Sequence, residues 1–490
     1  MPWQDLFQLP RSQRRRHRIH LVGVGGTGLA PIARVLAQLG FRVSGSDREA
    51  NERTEALQAL GVRTFVGHAA NQLLDDQPPQ RPDLVLISSA VPDDNPEVQQ
   101  ARAWGVPVVK RKEILGPLTA GRDVIAVSGT HGKTTTTALI AHILTRAGRK
   151  PGYIIGSEIP ELGFSDAGEE PLFVIEADEY DHMFLGLQPW RLIITNLDWD
   201  HPDLFPTHAS YVDAFARLLA QVRPDGRVIY CRDDRTLREW EREGRLAGGI
   251  SYGSFRGAFA RAENIEMRPE GARYRLVTPT DAYPVQLAIQ GLHNVLNSMA
   301  ALLAVTEAGL SFREAIPHLA SYRGAARRFE FKGEAAGVIV IDDYAHHPTE
   351  VHSTLQAARA AYPDRAIWAV YQPHTFSRTR TLLDLFNGVF GPADHVIITD
   401  IYAAREPIDP DITPELVAAA SHHDRALAIH DLDDVTDYLT RNLKPNSLVI
   451  ILSAGTATRI GPALLQRLQE KPQEKATQSA QRNLTLNTDY

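Results

Sequence analysis

Asp123-Val124-Ile125-Ala126-Val127-Ser128-Gly129-Thr130-His131-Gly132-Lys133-Thr134-Thr135 passes from an apolar, β-branched run into a loop bracketed by two glycines and then into a threonine-rich helix start. A buried strand that turns through glycines into a helix is the opening of a strand-helix-strand unit, so the stretch predicts a parallel sheet. The same stretch has the chemistry of a triphosphate cradle. Gly129 and Gly132 let backbone N–H groups approach phosphate, Lys133 supplies positive charge, and the Thr134 hydroxyl suits Mg2+. Thr130, His131 and Thr135 complete the loop. The general ATP loop carries a glycine five residues before its glycine-lysine pair, where this chain has Val127. A threonine-rich helix cap without a ligand is the bland alternative.

Outward from this point the pattern repeats. "HRIHLV" (17–22), "FRVSGSD" (41–47) and "DLVLISSAV" (83–91) lie before it, and "LFVIEAD", "RLIITNLD" and "GRVIYC" follow it. A third series, "GVIVIDDYA", "AIWAVYQPH", "HVIITDIY" and "SLVIILSAG", begins after a break at 321–324. Strands alternating with helices predict an α/β fold, and 490 residues exceed what one core sustains. We therefore expect three units, 17–118, 119–324 and 325–468, with a frayed polar tail over 469–490. The segment 260–287 alternates polar and apolar residues and predicts antiparallel strands; helices are expected near 30–39 and 294–308.

Composition excludes several classes. With 43% hydrophobic and 23% charged residues the chain is an ordinary globular one, and a net charge of -7 with 7% aromatics offers nucleic acid neither a basic footprint nor a stacking platform. No window approaches ~20 uninterrupted apolar residues, which argues against membrane insertion. The basic start (Arg11, Arg14, Arg15, Arg16, Arg18) is followed by no signal-peptide core, and the one cysteine, Cys231, suits a reducing compartment and a structural role. The expected location is the cytoplasm.

Other motifs sit where α/β sheets bind ligands. Gly23-Val24-Gly25-Gly26-Thr27-Gly28 follows the first strand, with Asp47 at the end of the next, which satisfies the dinucleotide fingerprint. It places a diphosphate on a helix N-terminus without saying which nucleotide carries it; a tight turn without ligand is the alternative. Glu176-Ala177-Asp178-Glu179-Tyr180-Asp181 and Asp198-Trp199-Asp200-His201 each leave the carboxyl end of a strand, and with Thr134 they make a divalent-metal site plausible chemistry rather than two solvated turns. Asn294 and Asn297 share a helix face and suit a nucleobase edge. Arg327-Arg328-Phe329-Glu330 lies at a unit boundary, from which a hinge brings cations to phosphates. Asp342-Asp343-Tyr344-Ala345-His346-His347-Pro348 ends a strand, and its histidine pair, near physiological pKa, suits an anion or a proton.

In this order the pieces resemble the Mur ligase family over residues 17–468. The carrying motifs are IHLVGVGGTG, GTHGKTTT, EADEYD, TNLDWDH, GLHNVLN, RRFE, DDYAHHPTE, YQPHTFSRT and TDIYAAREP. The resemblance implies a Rossmann-like unit for the UDP part of UDP-N-acetylmuramate, a central ATP and Mg2+ unit, and a C-terminal unit that brings the amino acid. It implies that ATP converts a carboxylate to an acyl phosphate that an amine then attacks. It assigns Gly23, Gly25, Gly26, Thr27, Gly28 and Asp47 to the UDP-sugar, Thr134 and Glu176 to one Mg2+ and His201 to a second. It assigns Asn294, Asn297 and Asp343 to adenosine, Lys133 to the transferring phosphoryl group, and Arg327, His346 and His347 to the phosphates, the muramate carboxylate or the amino acid. Phe184-Leu185-Gly186-Leu187 and the DYAHHPTE and YAAREP forms imply L-alanine as the added group, with the tripeptide of cell-wall recycling as the alternative. Leu452-Ser453-Ala454-Gly455-Thr456 departs from the Gly-Ala-Gly turn common in the family. A nicotinamide-dependent oxidoreductase would leave the phosphate loop idle, and a nucleotide switch would need none of the third-unit motifs.

Overall fold

A computed structural model of the chain describes residues 2–74, 79–404 and 406–470. The polar tail from Lys471 onward and Arg405 of the TDIYAAREP motif lie outside the described residues. Three sheets follow one another along the chain, each built from the β-branched runs quoted above.

The first is wholly parallel, in the spatial order Arg63–Val66, Arg42–Asp47, Arg18–Val22, Leu84–Ile87, Val108–Lys110. The order reverses on either side of Arg18–Val22, which opens a crevice at its carboxyl end. The expected helix there is Ala30–Gln38. Residues before this strand, read from sequence only for charge, form a 3-10 turn, Trp3–Gln8, that buries Leu6 and Phe7 against Phe41.

The second sheet has ten strands. Ile250–Gly253, Arg227–Cys231, Arg191–Ile194, Asp123–Ser128, Leu172–Glu176 and Gly152–Ile159 are parallel neighbours in that order. Ala260–Arg268, Gly271–Val277 and Ala282–Leu287 extend one end as antiparallel ribbons, as their alternation predicts. Helices Lys133–Arg146 and Leu292–Glu307 cover one face with Leu139, Ile140, Met299 and Leu303, all essentially without exposure.

The third sheet runs Glu330–Ala335, Val338–Asp343, Ser447–Leu452, Ala366–Tyr371, His395–Ile398, Ala426–Ala428, parallel except for its first strand. Asp342 and Asp343 complete the strand, and His347 then caps the helix Pro348–Ala361 by accepting from the Thr349 N–H. Among the described residues no helix is long and apolar enough to cross a membrane.

Candidate active site

The phosphate loop leaves the middle of the second sheet. Val127 pairs in register with Glu176 and Ser128 with Ile194, so the loop and the two acidic turns emerge side by side. Two glycines make the loop possible. Gly129 has φ +125°, and a Cβ there would lie 2.1 Å from Thr195 Oγ1; Gly132 has φ +83°, and its Cβ would lie 2.4 Å from Asn297 Oδ1. Thr195 Oγ1 donates to the His131 carbonyl at 2.6 Å and Asn196 Oδ1 accepts the His131 N–H at 2.9 Å, which pins the loop to its neighbouring strand.

Lys133 folds back on this loop. Its Nζ donates to the carbonyls of Gly129 (2.7 Å) and Thr130 (3.0 Å) and to Glu179 (2.8 Å). Burial opposes its charge, but Glu179 and Asp178 outweigh burial and raise its pKa above the usual lysine value. Glu179 itself has no exposure and also accepts from Tyr211. Thr134 Oγ1 donates to Glu176 Oε1 at 3.0 Å, and the Gly156 N–H donates to Glu176 Oε2 at 2.7 Å. Burial pushes the Glu176 carboxyl upward, with Lys133 only partly opposing it. A hydroxyl and carboxylate pair of hard oxygens that gains by acquiring positive charge fits a small divalent cation.

His201 is the residue expected at a second cation. His201, at φ +53°, faces Glu179 Oε1 at 3.8 Å and Asp200 Oδ2 at 3.6 Å, and its Nδ1 lies 3.3 Å from Arg378. Among the described residues the His/acid group with metal-like spacing is instead His131, Asp198 and His347. Its nitrogens are already engaged: His131 faces Asp198 (3.2 Å) and Glu350 (3.1 Å) with its two ring nitrogens, and His347 Nδ1 accepts its own helix's N–H. Burial disfavours a charged His131, yet the two carboxylates win and raise it to about 9.

A cavity of 810 Å3 opens between the second and third sheets' units. His131, Gly132, Thr134, Thr135, Asn294, Asn297 and Asp343 line it, together with Asp198, His293, Arg328 and Glu350. Asn294 and Asn297 are buried and bonded to one another at 3.1 Å. Asp343 accepts the N–H groups of Phe329 and Ala345, and burial raises its carboxyl to about 6. Of the two arginines, Arg327, expected around the phosphates, the muramate carboxylate or the amino acid, sits at φ +58° with its guanidinium on the Ser453 carbonyl and Asp342, over the Tyr344 ring. Arg328 lines the cavity, 3.9 Å from Glu350. The expectation that the histidine pair titrates near neutrality is also corrected: burial and Arg378 lower His346 to about 4, and burial and His131 lower His347.

In the first unit Gly23, at φ +87°, turns the chain, and the Gly25 N–H donates to Asp47 Oδ2 at 2.7 Å. Gly26 follows at 3.1 Å from the Gly23 carbonyl, while Gly28 packs against Arg111 before the helix. Thr27 lies in the same turn.

Reading by motif missed Glu179, Asp198, Asp200, Arg328, Glu350 and Arg378 as individuals, although each lies inside a quoted motif. Arg378 Nε donates to Asp200 Oδ1 at 2.8 Å, and both are buried. Paired charges buried together are the signal, and it is a spatial one.

Three family models match in sequence: the Mur ligase family catalytic domain over 18–123, the Mur ligase middle domain over 127–305, and the Mur ligase glutamate ligase domain over 327–455. The chain belongs to the Mur ligase family. It is similar to the UDP-N-acetylmuramate–L-alanine ligases of Carboxydothermus hydrogenoformans (37% identity, covering 93% of this chain and 98% of that protein) and Rubrobacter xylanophilus (40%, 92% and 100%). Among solved structures, the UDP-N-acetylmuramate-alanine ligase MurC of Thermotoga maritima matches with a TM-score of 0.76 at 28% identity, over 93% of this chain and 99% of that one. A murein peptide ligase from Psychrobacter arcticus shares the fold at a TM-score of 0.66 and 24% identity, over 92% and 99%.

Proposed function

We propose that this enzyme ligates L-alanine to the lactyl carboxylate of UDP-N-acetylmuramate at the expense of ATP, a step in peptidoglycan precursor synthesis. The observation that carries the reading is the cavity. His131, Gly132, Thr134 and Thr135 of the phosphate loop line one side of the gap, and Arg328, Asp343 and Glu350 of the following unit line the other; Thr134 is bonded to Glu176, and Lys133 of the same loop to Glu179. Such a gap suits ATP between the phosphate loop and the following unit. The relatives named above, similar over nearly their full length, are alanine ligases.

The carboxylate attacks the γ-phosphorus, the bond to the β-phosphate oxygen breaks and ADP departs. The alanine nitrogen, having lost its proton, then attacks the acyl carbon, and the carbon–oxygen bond breaks to expel phosphate. Lys133 leaves Glu179 for the phosphates and offsets charge on the transferring group, where electrostatic stabilisation contributes most. Thr134 and Glu176 would hold Mg2+, which when bound would neutralise phosphate charge. His201, beside Glu179 and Asp200, would hold a second cation. Asn294, Asn297 and Asp343 face the adenosine. Arg328 and the neutral His346 and His347 shape the wall that meets phosphate and amino acid, and Arg327 orders the turn behind them. We assign the UDP-sugar to the first unit (17–118), ATP to the second (119–324) and alanine to the third (325–468). The reaction is placed in the cytoplasm, where ATP is available.

Substrate labelled with 18O in the lactyl carboxylate tests this chemistry. The proposal expects one labelled oxygen in each phosphate released. Unlabelled phosphate would rule out the acyl phosphate.

A further inference from the structure

The first unit contains a buried polar chain that the glycine turn does not use. Arg18, which only donates, gives hydrogens from Nε and Nη2 to Ser44 Oγ at 3.3 and 3.1 Å. With its lone pairs so occupied, the Ser44 hydroxyl donates to His20 Nδ1 at 2.9 Å. The His20 proton therefore sits on Nε2, which donates to Glu97 Oε1 at 3.1 Å. Ser46 donates to Glu97 Oε2 at 2.5 Å, and His68 Nδ1 lies 3.0 Å from the same oxygen. His20 and Glu97 have no exposure. Burial lowers His20 and keeps it neutral; burial opposes ionisation of Glu97, but the hydrogen bonds of His20, Ser46 and His68 hold it below the usual carboxylate value.

The chain has one direction because it starts at a donor and ends at an acceptor. A carboxylate oxygen accepts only, and the single Ser46 proton is committed to Glu97, so in the neutral imidazole of His68 the proton is on Nδ1 and Nε2 presents a bare lone pair. Among the described residues His68 Nε2 makes no hydrogen bond, and the side chain keeps 19% of its exposure.

His68 follows the strand Arg63–Val66, at the carboxyl edge of the sheet. In a sheet of this order the nucleotide lies across that edge, with its phosphates at the first glycine turn and its ribose at the end of the next strand. The base then falls over the end of the third strand. The Gly67 N–H donates to the Asp47 carbonyl at 2.7 Å, which sets His68 directly beyond the ribose position.

We propose that His68, oriented by the buried Glu97, reads the base of the UDP-sugar by accepting the N3–H that uracil carries and cytosine lacks. Cytosine instead turns the N3 lone pair toward the Nε2 lone pair. The proposal rests on the assignment of the UDP-sugar to the first unit. Glu97 acts as a positioning residue, and His68 as the one that determines specificity.

The test is equilibrium binding of UDP and of CDP to the full chain by calorimetry. Wild type is expected to favour UDP by roughly 10- to 100-fold, the worth of one well-made hydrogen bond against an unmade one. His68→Ala brings the ratio near one and leaves ATP affinity unchanged, while His68→Gln, whose amide oxygen accepts N3–H, keeps the preference. An undiminished UDP preference in His68→Ala would overturn the assignment of His68 alone. Failure of wild type to bind UDP would overturn the UDP-sugar reading and this proposal with it.

Discussion

Lys133 is the residue on which the chemistry turns, and its surroundings state what its loss costs. Its ammonium is held between loop carbonyls and Glu179 with the side chain 12% exposed, ready to exchange a carboxylate for phosphate. Lys133→Ala is expected to lower kcat by about 10^3-fold or more, since one charge aimed at a transferring phosphoryl group is worth at least that. UDP-N-acetylmuramate affinity, measured by calorimetry, should be unchanged because that ligand is assigned to another unit; equal loss of both would contradict the assignment. Gly132→Ala places a Cβ 2.4 Å from Asn297 Oδ1 at φ +83°. A strain of ~1–3 kcal/mol is expected, seen as a lower Tm together with weaker ATP binding. Wild-type Tm in this variant would show that the loop moves freely. Residue identity at the loop was legible in sequence because glycine, lysine and threonine have distinct jobs there. Arg327 and Arg328 were not separable, because which neighbour reaches the cavity depends on a left-handed backbone at Arg327.

At the scale of elements, the helix Pro348–Ala361 docks its first turn on the phosphate loop. Glu350 accepts from His131 Nδ1 and from the His346 N–H, and Thr349 Oγ1 donates to Asp198 at 2.6 Å. His131 is raised from an ordinary 6.5 to about 9, and Asp198, despite burial, is lowered to about 2 by His131 and His347. A raised group contributes fully below its free pKa and loses that contribution as pH rises through its bound value; a lowered carboxylate does the reverse. The docking should weaken progressively as pH rises from about 6.5 to about 9, and on the acid side as pH falls from about 3.8 to about 2. Hydrogen exchange at 346–352 followed against pH reads this, and protection independent of pH through 9 would contradict it. Glu350→Gln should raise the KM for alanine more than it lowers UDP-N-acetylmuramate affinity. Strands and helices were legible because their periods are local. The docking was not, since His131 and Glu350 are 219 residues apart and each motif alone reads as a turn.

For the whole molecule, three consecutive sheets divide the labour: a parallel one with a crevice, a ten-stranded one with the phosphate loop at its centre, and a third whose first helix closes the cavity. Their α/β character and number followed from alternation and length. The strand orders did not, because parallel neighbours are chosen by helix packing rather than by any feature of a single strand. The proposed reaction of this assembly uses ATP to join L-alanine to UDP-N-acetylmuramate. Phosphate release with ATP, Mg2+ and UDP-N-acetylmuramate, with L-alanine, glycine, L-serine or the recycled tripeptide added in turn, tests it most directly. The account predicts release that depends on all three components and is fastest with L-alanine. Release driven by the tripeptide and indifferent to L-alanine would contradict it.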